Sequence, residues 1–271
     1  MISGLAVGGR VLGDRRYVEA AARAADFLLT RMREGDRLSR SYKDGRRQQH
    51  GFLEDQAFAA AGLLDLFEAT FEPRWLQEAI ALCEALEKHF ADREHGGWFM
   101  TADDAEKLIA REKPMYDGAE PSGTSVAILN ALRLQAFTDQ DRWRAVAEQA
   151  FRALHEVLSE RPLAMTEALL ALDWYTDVPR EVALVWPPGQ AADQLQAVLR
   201  ATFLPNRVLA GAEEGGAVEG LARIVPFLGE KVAQRGKPTG YVCQRGKCEL
   251  PATDPDLFKA QLLKVAQPPA P

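Results

Sequence analysis

Two clusters of ionisable and aromatic side chains stand just ahead of two apolar stretches of the chain. His50, Glu54 and Asp55 lead into residues 58–64, and Tyr116, Asp117, Glu120 and Ser122 lead into residues 125–132. Paired carboxylates at the mouth of a helical assembly can act as general acid and general base on a sugar, provided their surroundings drive the two pKa values apart. Glu54, Asp55 and Asp117 are the candidates for that work. Tyr42 or Trp98 would stack on a sugar ring, and His50, Tyr116, Glu120 and Ser122 would complete the binding surface. Every one of these acids also has a structural reading. Glu54 and Asp55 in a first helical turn meet the positive end of the helix dipole. Ser122 after Pro121 suits an N-cap, and Asp117-Gly118 is ordinary turn chemistry.

The cysteines offer a second chemistry. Cys243 and Cys248 flank a tight turn, but zinc would need two further ligands near them, and no histidine follows residue 174. No metal or other cofactor is implied. Two free thiols packed across a hairpin is the preferred reading, and a redox pair is the alternative, because facing hairpin positions lie close. Cys83 falls on the core-facing side of an outer helix and reads as buried and inert.

The elements that must position these residues are helices. The 271 residues are 47% hydrophobic and 27% charged, an ordinary globular composition. A net charge of −6 argues against a nucleic-acid partner, because phosphate binding needs a concentrated basic patch. Lys43, Arg46 and Arg47 form a short basic run that reads as a solvated loop. No stretch approaches the ~20 apolar residues of a membrane span, and the first twelve residues lack the layout of a secretory signal. Three cysteines, an odd number, point to a reducing compartment, so the cytoplasm is the expectation.

One pattern recurs three times. Arg16-Tyr17, Arg74-Trp75 and Arg142-Trp143 each have alanine four residues after the aromatic and leucine eleven after it. Those offsets return to one face of a helix. The arginines recur at intervals of 58 and 68 residues, which fits a helical hairpin plus a long loop. Between these amphipathic helices lie nearly uncharged ones, which must be buried on most sides. The alternation reads as inner and outer helices of an α/α toroid: 2–12 with 14–33, 53–71 with 73–90, 121–137 with 141–158, then 163–175. A closed six-hairpin ring needs about twice that number. Because the chain starts inside an apparent inner helix, the expectation is a missing N-terminal half or self-association across an open seam.

After Trp174 the period changes. Residues 181–186 and 207–210 read as strands and 193–203 as a helix between them, a small parallel unit. The run 211–216 is not a phosphate loop, since it lacks lysine and carries Glu213 and Glu214. Residues 241–250 read as a hairpin turning at Arg245-Gly246. A last helix follows, capped at Thr253 or Asp254 with Pro255 at its first position. The fold class is therefore mainly α, a partial toroid over 1–176 followed by a small α/β subdomain over 177–266, with a frayed tail at 267–271.

Five stretches carry a family resemblance: Ser41-Tyr42-Lys43-Asp44-Gly45; Gly51-Phe52-Leu53-Glu54-Asp55-Gln56-Ala57-Phe58; Tyr116-Asp117-Gly118-Ala119-Glu120-Pro121-Ser122-Gly123; Phe203-Leu204-Pro205-Asn206; and Tyr241-Val242-Cys243 with Cys248 to Pro255. In this order they resemble the thioredoxin-domain family of spermatogenesis-associated protein 20 in animals and YyaL in bacteria. The resemblance implies a toroid similar to N-acylglucosamine 2-epimerases and six-hairpin glycosidases, joined in family members to a thioredoxin-like domain. That domain and its cysteine pair are not in this sequence, so its redox activity is not carried over. Gln56 stands where the family more often has tyrosine, at the expected rim of a pocket. Epimerases of this fold use histidines inside the toroid. Here His89 and His155 fall on outer helices as surface residues and His95 in a loop, which leaves His50. Two functions follow: a carbohydrate-binding or carbohydrate-modifying toroid, or a non-catalytic scaffold supporting a thioredoxin-like domain.

Overall fold

The computed structural model describes residues 1–106 and 109–264, so the tail at 267–271 lies outside the described residues. The chain is mainly α-helical with small sheets, and it divides into two compact units.

The first unit comprises Met1–Gly9, Asp14–Gln135 and Gln140–Tyr175. Its helices are α1 (Ile2–Leu12), whose last turn groups with the second unit, α2 (Arg15–Phe27), α3 (Leu53–Thr70), α4 (Pro73–His89), α5 (Gly123–Thr138), whose end does the same, α6 (Asp141–Ala153), α7 (His155–Glu160) and α8 (Thr166–Thr176). α3 and α5 are buried on nearly every side, whereas α4 and α6 bury one face through Trp75, Ala79 and Leu86, and through Trp143, Ala147 and Ala150. α1 and α8 depart from the expected all-round burial: Val11, Leu12 and Leu170 are exposed. Two helices end earlier than their apolar offsets predict. α2 gives way to a π turn at Leu28–Met32, and α6 breaks from α7 at Leu154.

The expected loop over 34–52 is a small antiparallel sheet. β1 (Arg33–Glu34), β2 (Arg37–Lys43) and β3 (Arg46–His50) pair in that order. The basic run Lys43, Arg46 and Arg47 is thus a hairpin and not a loop, although its side chains are solvated as expected. Asp44 and Gly45 turn it with φ of 52° and 75°, the left-handed pair that a two-residue hairpin requires.

The recurring Arg–aromatic pair has a structural purpose. The guanidinium of Arg74 lies 3.7 Å from the Trp75 ring centre and that of Arg142 lies 4.3 Å from Trp143. Each arginine then reaches back to the amphipathic helix of the preceding repeat, Arg74 to Asp26 of α2 at 3.0 Å and Arg142 to Glu84 of α4 at 2.7 Å. Asp26 and Glu84 each follow their own repeat's arginine by ten residues. The latch is a periodic feature. Both indoles are buried, and neither N–H finds an acceptor among the described residues.

The second unit takes in Arg10–Gly13, Ala136–Asp139 and the chain from Thr176 onward. It contains β4 (Arg180–Trp186), α9 (Asp193–Arg200), β5 (Arg207–Glu213), α10 (Gly216–Ala222), β6 (Thr239–Gln244), β7 (Lys247–Cys248) and α11 (Pro255–Leu263). β4 and β5 are parallel, as the strand–helix–strand order predicts. β6 joins the other side of β4 antiparallel, giving the order β5-β4-β6-β7. α11 starts at Pro255 with the Asp254 carboxylate accepting from Asp256 and Leu257 amides at 3.1 and 2.9 Å. Cys243 and Cys248 face each other across β6 and β7 and are joined as a disulfide, which corrects the reading of two free thiols. Cys83 is buried as expected, and loss of solvation pushes its thiol up to about 12.

Candidate functional site

The first turns of α3 and α5 meet. A Cβ on Gly123 would fall 2.9 Å from the Glu54 nitrogen and 3.0 Å from its Cα, so only glycine lets the two helix starts approach this closely. The two sequence clusters therefore share one end of the unit. What the structure does with their side chains is mostly structural.

Glu54 and Asp55 share one cation. Arg40 on β2 donates to Glu54 Oε1 at 2.7 Å and to Asp55 Oδ2 at 3.1 Å. Asp55 also accepts the Phe52 amide at 2.8 Å, capping the start of α3. Arg40 rests over the Phe52 ring, and the bond to Glu54 holds its guanidinium above the usual arginine range. Both acids are thus engaged by a single protein cation.

Asp117 is 6% exposed and acts as a clasp. Oδ1 accepts the Ser122 amide at 2.7 Å. Oδ2 accepts the Ser125 hydroxyl at 3.0 Å and the amides of Glu167 and Ala168 at 2.9 and 3.2 Å. One carboxylate thus ties the approach to α5 to the first turn of α8, where the helix dipole favours negative charge. All four of these donors come from the protein itself. Burial, and then the nearby Asp117, push the Glu167 carboxyl up. Ser122 is the N-cap of α5, its hydroxyl accepting the Ser125 amide at 3.1 Å.

Trp98, expected to stack on a sugar ring, lies in the interior. It is 3% exposed, and its indole donates to Glu87 Oε1 at 2.7 Å, so no ring face is offered to a sugar. Beside it lies a hollow of about 10 Å³, room for roughly one water, that includes Gly97, Met115 and Thr124 in its lining. Ligand pockets run to roughly 300–1,000 Å³, so this space is small for a sugar. Tyr42 is half-buried, edge-on to Phe27 at 5.4 Å. His50, Tyr116 and Glu120 remain exposed, Tyr116 at 69%.

Three residues carry more of this region than their sequence positions suggest. Gln56 is fully buried, and its amide both accepts from Leu38 N and donates to Leu38 O at 2.9 Å, imitating a strand partner for β2. It is a clasp between β2 and α3, not part of a rim. Arg40 was findable only through the hairpin signal at Asp44-Gly45. His89, read as a surface residue, has its side chain 13% exposed between Asp36 and Asp103, at 3.1 and 3.3 Å. Among the described residues no cluster of histidines, cysteines and acids is arranged to hold a metal ion. No helix among them is long and apolar enough to cross a membrane.

No family model matches the chain. It is 35% identical over 268 residues to human spermatogenesis-associated protein 20, covering 94% of this chain and 34% of that protein. The rat protein of the same name matches equally well in identity and extent. An uncharacterized protein of Caenorhabditis elegans is 26% identical over 261 residues, 92% of this chain and 35% of its own length. The chain spans about a third of the length of these relatives. Over nearly its whole length the chain is thus homologous to a segment of spermatogenesis-associated protein 20, and that similarity supports its place in the same family.

Proposed function

We propose that this chain is the non-catalytic helical module of a longer protein, an arc of an α/α toroid that supports an attached domain such as a thioredoxin-like one. One observation carries the reading: the acids best placed for chemistry are already engaged, Asp117 by four protein donors and Glu54 with Asp55 by Arg40. The alternation of all-round-buried α3 and α5 with one-face-buried α4 and α6 supports the toroid. The span of about a third of the relatives' length supports a module within something larger.

A carbohydrate-binding reading draws on a different observation, the exposed Tyr116, His50 and Glu120 at the end where α3 and α5 begin. A thermal melt with a panel of mono- and oligosaccharides separates the two. A ligand that binds the folded state raises the midpoint as its concentration passes its dissociation constant. The module reading expects no sugar to move the midpoint, and a one-to-one complex with the flanking segments of a full-length relative on analytical ultracentrifugation. A rise specific to one sugar class, abolished by Glu54→Ala, together with no such complex, would replace it with the carbohydrate reading.

A further inference from the structure

The Cys243–Cys248 bridge takes no part in the function proposed above. It closes the hairpin of β6 and β7, five residues apart in sequence. The hairpin does not depend on it. Arg245 and Gly246 turn the chain with φ of 51° and 72°, the left-handed pair of a two-residue turn. Backbone bonds continue past the cysteines, from Glu249 N to Val242 O at 2.9 Å and reciprocally between Gly240 and Ala252 at 2.8 and 3.0 Å. A cross-link spanning five residues constrains the unfolded chain less than one closing a long loop, since its effect grows with loop length.

The two sulfurs are not equivalent. Cys243 is 1% exposed within β6, whereas Cys248 is exposed on the two-residue edge strand β7. Arg245 and Lys247, both exposed, flank Cys248 on the turn side. The carboxylate that follows, Glu249, is paired with Lys264 at 2.5 Å. Two cationic residues at the turn draw an incoming thiolate toward this end of the hairpin. Accessibility, nearby charge and a separately hydrogen-bonded backbone meet at the Cys248 end of the hairpin.

We propose that Cys243–Cys248 is a thiol–disulfide exchange site whose substrate is a dithiol, with the Cys248 sulfur as the atom attacked. A thiolate of the dithiol bonds to Cys248 Sγ, the Cys243–Cys248 bond breaks, and Cys243 leaves as a thiolate that takes up a proton. The second thiol of the reductant then attacks the first at the mixed disulfide and releases Cys248. The protein gains two electrons and two protons, and the dithiol is oxidised to its own disulfide.

The test uses the full chain under native conditions in graded mixtures of reduced and oxidised dithiothreitol. Samples are acid-quenched, alkylated and mapped by peptide mass. Cys243 and Cys248 should become alkylated together and reversibly while the near-ultraviolet circular dichroism stays unchanged, with buried Cys83 unlabelled as the internal control. A bridge that opens only when that spectrum is lost would overturn the proposal. The single variants then assign the attacked sulfur. Exposed to oxidised glutathione, Cys243→Ser should form a mixed disulfide roughly tenfold or more faster than Cys248→Ser, following exposure and charge. Equal or inverted rates would refute the assignment, and if either variant fails to fold, the titration of the unaltered chain decides alone.

Discussion

Asp117, a candidate acid or base in sequence, is held in space by four protein donors. Its neighbours Tyr116, Gly118 and Glu120 suggest a turn or an acid–base pair, but two of its four donors come from Glu167 and Ala168, some fifty residues away. Sequence spacing carries no record of those partners. Asp117→Ala leaves buried donors unmet and should destabilise the chain by about 3 kcal/mol in a urea melt. A second consequence concerns acid. The ammonium of Lys88, helped by His89, holds Asp36 down at about 2, and the Arg37 guanidinium does the same for Asp104. A depressed carboxylate contributes stability that is complete above its ordinary value of 3.8 and disappears as pH falls through the folded value. Urea midpoints should therefore drop between pH 5 and pH 2, and Asp36→Asn should flatten part of that fall. The change per residue is small, because both side chains are 41% or more exposed and solvent screens their pairs.

At the scale of elements, offsets of four and eleven were enough to read α2, α4 and α6, because alanine and leucine on one stripe mean a buried helical face. The same logic failed at the ends. Leu154 is neither glycine nor proline and is itself buried, so nothing in its type marks the break between α6 and α7. The hairpin β2–β3 was missed for a different reason. Its turn residues are those of a two-residue hairpin, but Arg46 to His50 are polar and exposed throughout, so no alternation betrays the strand. The latch between outer helices separates two contributions that sequence alone would merge. Arg74 and Asp26 are about half exposed, and a pair of that kind is worth about 0–1 kcal/mol. Trp75 is fully buried, with no acceptor for its N–H among the described residues. Trp75→Ala should cost about 3–5 kcal/mol. Trp75→Phe, which removes an unmet donor along with some volume, should cost clearly less, and equal losses by calorimetry would contradict this account.

For the molecule as a whole, the mainly α character and the change of class after Trp174 were legible because the hydrophobic period itself changes there. β6 beside β4 was not, since nothing local to residues 239–244 names the strand it will join. The candidate site was legible as a place and not as a role: Gly123 against Glu54 brings the two clusters together, while Arg40 and the amides of α8 engage their acids. The repeated latch has a further consequence, one of grammar. Ten residues after Arg142, where Asp26 and Glu84 stand in the earlier copies, the chain has Arg152. A hairpin duplicated between α2 and α4 would inherit both halves of the latch and could be spliced into the array without a new mutation. One appended after α6 would present its arginine to another arginine. Extending the array past α6 would therefore require a new acid at position 152 before the same latch could close.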